Sequence, residues 1–377
     1  SVNRKDLPNT RAMTGSSNWR TESRKARIIG RQHGSDPTSL SSGCKRHDSR
    51  LGPSQRFILP ENHVTSATYD VVAIGNAIVD VIAQSDDAFL QSEGMNKGSM
   101  QLIFDAPAAD ALYGKMGPGR EISGGSAANT IAGIAALGGK CGFIGQVADD
   151  ELGQIFAHDI RSVGIDFDTP AREGEPTTAR CLIFVTPDGQ RTMNTFLGAS
   201  QFLPEAALDA DFIAKGEILY LEGYLWDPEE PRAAMRRAIE IARKAGRRVA
   251  FTLSDTFCID RHGDDFRKLI ADGLVDILFA NENELQALAQ VDDFDAGVEK
   301  IAGQVPTLVV TRSEKGAIAV KDGRRVEVAA EPIDKVVDTT GAGDLFAAGF
   351  LRGQVQGKSV EDSLKMGAIC AGEIISH

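Results

Sequence analysis

Residues Asp338-Thr339-Thr340-Gly341-Ala342-Gly343-Asp344-Leu345-Phe346-Ala347-Ala348-Gly349-Phe350 set two glycines and two carboxylates around the start of an apolar run. Glycine lets the backbone approach an anion closely, and the run behind it reads as a buried helix starting near Gly341. Free N–H groups at such a start, at the positive end of the helix dipole, form a phosphate cradle that needs no lysine. Asp344 falls in the first turn, where a carboxylate faces an incoming hydroxyl and takes its proton. Gly341–Asp344 also suits an ordinary tight turn with an acidic residue at a helix start.

Between residue 70 and this segment, short β-branched runs alternate with helical patterns, the sign of βαβ units and a mostly parallel sheet. Strands are predicted at Val71–Ile74, Cys141–Val147, Glu217–Glu222, Val249–Leu253, Val275–Ala280 and Thr307–Thr311. Helices are predicted at about 126–137, 150–163, 229–245, 262–272, 281–289, 341–353 and 360–375. The segments 84–105 and 172–198 read instead as extended and exposed, the second broken by the hairpin turn Pro187-Asp188-Gly189. They suit a small β lid over the site, or edge strands of the main sheet.

Three further places carry polar groups at element ends. Gly124-Gly125-Ser126-Ala127-Ala128-Asn129-Thr130 opens a helix with small residues, so a ligand can lie on its backbone while Asn129 offers a donor and an acceptor. The first strand ends in Gly75-Asn76-Ala77-Ile78-Val79-Asp80, where Asn76 and Asp80 are either ligand contacts or turn caps. Asn281-Glu282-Asn283-Glu284 follows an apolar strand, where open α/β sheets bind ligands and where helix starts also favour acids. Gly353-Gln354-Val355-Gln356-Gly357-Lys358-Ser359 has three residues between its glycines, one short of a P-loop, and reads as a helix-ending loop.

Asp338–Asp344 resembles the second signature of the ribokinase-like (PfkB) sugar and nucleoside kinases, and Gly124-Gly125 with Asn129 resembles the first. The likeness spans about residues 69–377, with four elements in the family's order. It implies a three-layer α/β ribokinase-like fold with a mostly parallel central sheet and a small β lid. It implies transfer of the γ-phosphate of ATP to a primary hydroxyl, with Asp344 as base and the Gly341, Ala342 and Gly343 amides as anion hole. By the same resemblance Asp80, Asn76, Gly124, Gly125 and Asn129 hold the acceptor. Asn281 and Glu284 position Mg²⁺ and phosphate through water, Thr311 and Gly316 contact the nucleotide, and a monovalent cation such as K⁺ sits near Asp338. Arg191, just after the hairpin turn, is placed to swing over the transferring phosphate.

Gly75–Asp80, the acceptor signature and the lid pattern look closest to adenosine kinases, which implies adenosine as acceptor, with ribose or another sugar as alternative. Met193, Phe196 and Leu197 offer either an apolar slot for a purine or ordinary lid packing. A non-catalytic ligand-binding regulator on the same fold is the alternative of another class. Two departures matter: Asn often stands where Thr340 stands here, and the chain stops at His377 where family members usually run on. The lid serves a monomer as a flap or a homodimer as a contact.

The composition agrees with a small-molecule enzyme. The 377 residues are 42% hydrophobic with a net charge of −12. Residues 1–65 hold twelve Lys/Arg against five Asp/Glu, a balance of +7, which leaves −19 for the rest. An acidic body is a poor nucleic-acid binder. No stretch reaches the roughly 20 apolar residues of a membrane helix. Five scattered cysteines without a CxxC pair fit a reducing cytoplasm and neither a disulfide framework nor a zinc site. The Ser- and Arg-rich residues 1–65 are expected to be a disordered leader or upstream extension, with the natural start at Val64 and the kinase domain over 66–377.

Overall fold

The computed structural model describes residues 67–376. The expectations for residues 1–65 lie outside the described residues. The described residues hold fourteen strands: β1 Tyr69–Ile74, β2 Ile78–Gln84, β3 Met100–Ile103, β4 Gly119–Gly124, β5 Cys141–Ile144, β6 Ile165–Phe167, β7 Ala179–Val185, β8 Arg191–Phe196, β9 Gly216–Glu222, β10 Arg248–Thr252, β11 Ile277–Asn281, β12 Thr307–Thr311, β13 Ala317–Lys321 and β14 Arg324–Val328. Nine of them form the main sheet in the order β14-β13-β12-β11-β10-β9-β1-β5-β6. Its neighbours pair in parallel except at β13, which runs antiparallel to β12 and β14.

The central strands are continuous apolar runs because both of their faces are covered. Val71, Val72, Ala73 and Ile74 of β1 are all fully buried. Val71 and Ala73 enter one core, with Ile131, Phe346, Phe350 and Leu364. Val72 and Ile74 enter the other, with Met235, Phe266, Leu285 and Val298. Each such Val, Ile, Leu, Phe or Met side chain contributes about 1.5–3 kcal/mol on burial. The helices Ser126–Ala136, Ala342–Val355 and Val360–Ile375 therefore cover one face, and Glu229–Lys244, Thr256–Ala271, Glu282–Ala289 and Phe294–Ala302 the other. This is the expected three-layer α/β architecture.

The lid is a separate five-stranded sheet, β3-β8-β7-β2-β4, so its strands are not edges of the main sheet. Pro187-Asp188-Gly189 turns β7 into β8 as predicted, with Thr186 N donating to Gln190 O at 3.0 Å. The expectation over 84–105 is corrected. That stretch holds a short helix, Asp87–Ser92, and only the strand β3, because Asp86 caps Phe89 N and ends the extended chain. The lid strand β2 lies between β7 and β4 and begins only three residues after β1. Asp80 therefore lies in the lid, not at the end of β1, paired in register with Ile122 and Cys181.

The near-P-loop is structural. Gly353 lies within the helix Ala342–Val355, where a Cβ would stand 2.6 Å from Ser363 Oγ of the next helix. Cys141, Cys181, Cys258 and Cys370 are free and buried. Among the described residues no helix is long and apolar enough to cross a membrane.

Candidate active site

The carboxyl ends of β1, β9, β10, β11 and β12 open into a cavity of about 750 Å³, with lid residues of β2, β3, β7 and β8 on its other side. Parallel strands leave such crevices at their carboxyl ends. Three helix starts contribute to its polar lining.

The first is that of Ala342–Val355, capped by Gly341 in the left-handed region at φ 76°. Ala342 N donates to Thr339 O at 3.2 Å and Leu345 N to Gly341 O at 2.9 Å. Among the described residues, the amides of Gly343 and Asp344 make no backbone hydrogen bond of this kind, which leaves them for an anion. Ala342 is off the cavity wall, and Gly341, Gly343 and Asp344 are on it.

Asp344 points at the second helix start. Its Oδ1 accepts from Ser126 Oγ at 2.6 Å and its Oδ2 from Asn129 Nδ2 at 3.2 Å. Burial pushes its carboxyl up to about 6, against the stabilising pull of those two donors. Gly125 caps this helix at φ 103°, and a Cβ there would lie 2.3 Å from Asn76 O. Gly124 has the same character: its Cβ would fall 2.5 Å from Asp80 Oδ2, so the missing side chain makes room for the acid rather than a wall for the cavity.

Sequence reasoning missed the group that ties these segments together. Glu222, fully buried at the end of β9, accepts from Asn76 N and Nδ2 at 2.8 Å each through Oε1, and from Ala127 N at 2.7 Å through Oε2. A Cβ on Gly75 would meet this carboxylate at 2.6 Å. Burial raises Glu222 to about 7 despite its three donors. Asp80 is also pushed up to about 7, by burial and by the Asp344 carboxylate, with the Arg191 guanidinium opposing. The cavity thus holds Asn76, Asp80, Asn129 and Asp344 together.

The third helix start is Glu282–Ala289, where Asn281 and Glu284 form a reciprocal cap. Glu284 N donates to Asn281 Oδ1 at 2.8 Å, and Glu284 accepts from Asn281 N at 2.9 Å and Nδ2 at 2.6 Å. Burial pushes Glu284 up to about 7. Both oxygens already hold one donor, and among the described residues no cluster of three His, Cys, Asp or Glu could grip a metal directly. The pair fits contact with a hydrated Mg²⁺ through its water.

Thr311 sits beside Asn281 in register and lines the cavity. Gly316 is off the wall; its φ of 86° and a Cβ position 2.1 Å from Val328 O explain it as a turn glycine. Arg191 lines the cavity and pairs with Asp338 Oδ2 at 3.0 Å, while Asp338 Oδ1 accepts from Thr340 N at 2.9 Å. Each oxygen of the Asp338 carboxylate thus holds one donor.

Of the three lid residues offered for an apolar slot, Met193 and Leu197 line the cavity. Phe196 does not: it is buried and packs under the Arg180 guanidinium, 5.6 Å from its ring centre. Ile78, Leu102 and Ile183 are further apolar residues of the lid wall, and Tyr224 lies on the side of the main sheet, its hydroxyl donating to Ser254 O at 3.2 Å. Tyr224 follows a strand end by two residues, a position that could have drawn notice. Glu222 had no motif around it.

Residues 70–377 match the pfkB family carbohydrate kinase description. The chain belongs to this family. It is similar to the crystal structure of adenosine kinase from Sinorhizobium meliloti, at 50% identity over 82% of this chain and 95% of that one, with a TM-score of 0.76. A probable sugar kinase from Rhizobium etli matches at 48% identity over 82% of this chain and 94% of that one, also with a TM-score of 0.76. A fructokinase of Klebsiella pneumoniae is 30% identical over 68% of this chain and 84% of its own length. The pfkB-family protein is thus a sugar or nucleoside kinase, a phosphotransferase that acts on a hydroxyl group and uses ATP with a divalent metal.

Proposed function

We propose that this kinase transfers the γ-phosphate of ATP to the 5′-hydroxyl of a nucleoside, adenosine being the acceptor. The observation that carries the reading is the wall composition beside Asp80: Ile78, Leu102, Ile183, Met193 and Leu197 from the lid with Tyr224 opposite. A purine needs a broad apolar or aromatic slot, whereas a free sugar needs polar closure all round. The likeness to the Sinorhizobium meliloti adenosine kinase points the same way.

In this reading Asp80 and Asn76 hold the ribose diol and place the 5′-hydroxyl at Asp344, which takes its proton as the phosphoryl group arrives. The amides of Gly343 and Asp344 and the Arg191 guanidinium stabilise the charge on the transferred oxygens. Asn281 and Glu284 would hold a hydrated Mg²⁺ through its water, and the ion, when bound, would supply charge neutralisation on the nucleotide phosphates. The lid excludes water, so the acceptor hydroxyl is the nucleophile.

A sugar acceptor is the second reading, favoured by Gln101 and Thr195 on the lid face of the cavity and by the fructokinase likeness. Phosphorylation of adenosine, ribose and fructose, run in parallel with Asp344→Asn as control, separates the two. Selective turnover of adenosine supports the proposal; turnover of a sugar in preference to adenosine overturns it and leaves the kinase chemistry in place.

A further inference from the structure

Arg191 opens β8 on the lid, and its partner Asp338 belongs to the loop ahead of the anion-hole helix. That loop is anchored independently of the lid, because Val337 N donates to Ile375 O at 2.8 Å at the end of the last helix. Asp338 divides its carboxylate between two donors: Oδ1 takes Thr340 N and shapes the turn, and Oδ2 takes the Arg191 guanidinium. Arg191 lines the cavity and Asp338 does not.

The need for such an anchor follows from the other acids nearby. Asp80 and Asp344 also line the cavity, and the charge of Arg191 is felt at Asp80. A long, partly exposed arginine without a fixed partner would settle on either of them. Paired with Asp344 it would hold the base as a salt bridge; paired with Asp80 it would occupy the acceptor's place.

We propose that Asp338 is a positioning residue: it stations Arg191 at the edge of the cavity beside the Gly341–Gly343 turn, off the two working carboxylates, and thereby couples the lid to the anion hole. The inference rests on the phosphotransfer reading and is indifferent to which acceptor is used. Asparagine at 338 keeps an oxygen for Thr340 N and removes the charge that holds Arg191; alanine removes both.

The test is a double-mutant cycle of Asp338→Asn and Arg191→Gln, with Asp338→Ala alongside, read as kcat and KM with the acceptor that wild-type enzyme turns over fastest. Hydrogen exchange over residues 186–193 reports the lid edge without any need for turnover. The expected result is a kcat lower by about two- to fivefold in Asp338→Asn, the size of one partly exposed ion pair. The KM for ATP stays within about twofold, since the amides of the anion hole remain. Asp338→Asn adds no further loss in the Arg191→Gln background, and exchange at 186–193 is faster in Asp338→Asn than in wild type. Full activity in Asp338→Asn with loss only in Asp338→Ala would assign Asp338 to the turn alone and overturn the proposal, as would additive losses in the cycle or unchanged exchange. A wild type inert toward every acceptor sinks the functional reading, and the exchange result then decides the positioning role by itself.

Discussion

Ser126 and Asp344 meet across 218 positions of sequence, the serine hydroxyl donating to Asp344 Oδ1 at 2.6 Å. Two helices far apart in the chain thus share one carboxylate, with Asn129 on its other oxygen. Burial holds that carboxyl up to about 6, within reach of neutral pH, where a base both exists as carboxylate and accepts a proton readily. Asp344→Asn should lower kcat by about 10²–10⁴-fold, the usual contribution of a positioned base. In wild type, kcat/KM should rise with pH through an acid limb near 6. A limb near 4, or residual activity within tenfold of wild type in the variant, would remove Asp344 from the base role.

The same shift has a sign for stability. Asp344, Asp80, Glu222 and Glu284 are held at about 6, 7, 7 and 7, above the ordinary carboxylate range. The folded protein therefore binds more protons than the unfolded chain between about pH 4 and 7. This part of its stability is full below the unfolded values and is lost as pH rises through 6–7. Asp344→Asn removes one such charge while keeping an acceptor for Ser126. It should be more stable than wild type at pH 7.5 by up to about 2 kcal/mol, a figure reduced because Asp344 still faces the cavity. Urea midpoints at pH 7.5 and 5.0 check this: the gain should shrink at the lower pH, and a gain equal at both would argue against a proton-linked cause.

Glu222 makes the opposite case, since its charge is engaged by three donors from two segments. In Glu222→Gln one donor faces the new NH₂ group, and a buried unsatisfied donor costs about 1–3 kcal/mol. Displacement of Asn76 and of the Ser126–Ala136 helix should raise the acceptor KM about tenfold or more, with the KM for ATP little changed. Thermal melting and the two KM values measured together check the assignment; a loss falling on ATP instead would place Glu222 on the nucleotide side.

How much of this was readable in the sequence follows from how local each feature is. The six buried strands and the helices that cover them announce themselves by apolar runs and periodicity, and the anion-hole helix by its glycines. The lid's core pairs β2 with β7 and β4, segments far apart in the chain, and no local pattern specifies that pairing. The β13–β14 hairpin was legible and unread: Asp322-Gly323, both in the left-handed region, is a hairpin turn signal. Asn76, Asp80 and Asn129, which line the cavity, were singled out because they lie in motifs. Glu222 was not, because its role exists only once residues 146 and 95 positions away are folded against it.

Gly343 offers a test that separates fold from chemistry at one atom. Most site glycines are demanded by their surroundings, as Gly125 is by Asn76 O at 2.3 Å. At Gly343 a Cβ would meet nothing within 4 Å, the residue lies in the first turn of the helix outside the left-handed region, and it is exposed. Within a helix, alanine is better than glycine by about 0.5–1 kcal/mol. The fold alone would therefore favour alanine here, and the proposed phosphate site is what would make the absent methyl useful, since an anion must reach the amide. Gly343→Ala should melt at or above the wild-type temperature yet lose about tenfold or more in kcat/KM for ATP as the methyl crowds the phosphate. Gly125→Ala should fail by the other route, with a lower melting temperature. Gly343→Ala with wild-type kinetics would move the phosphate site away from this helix start.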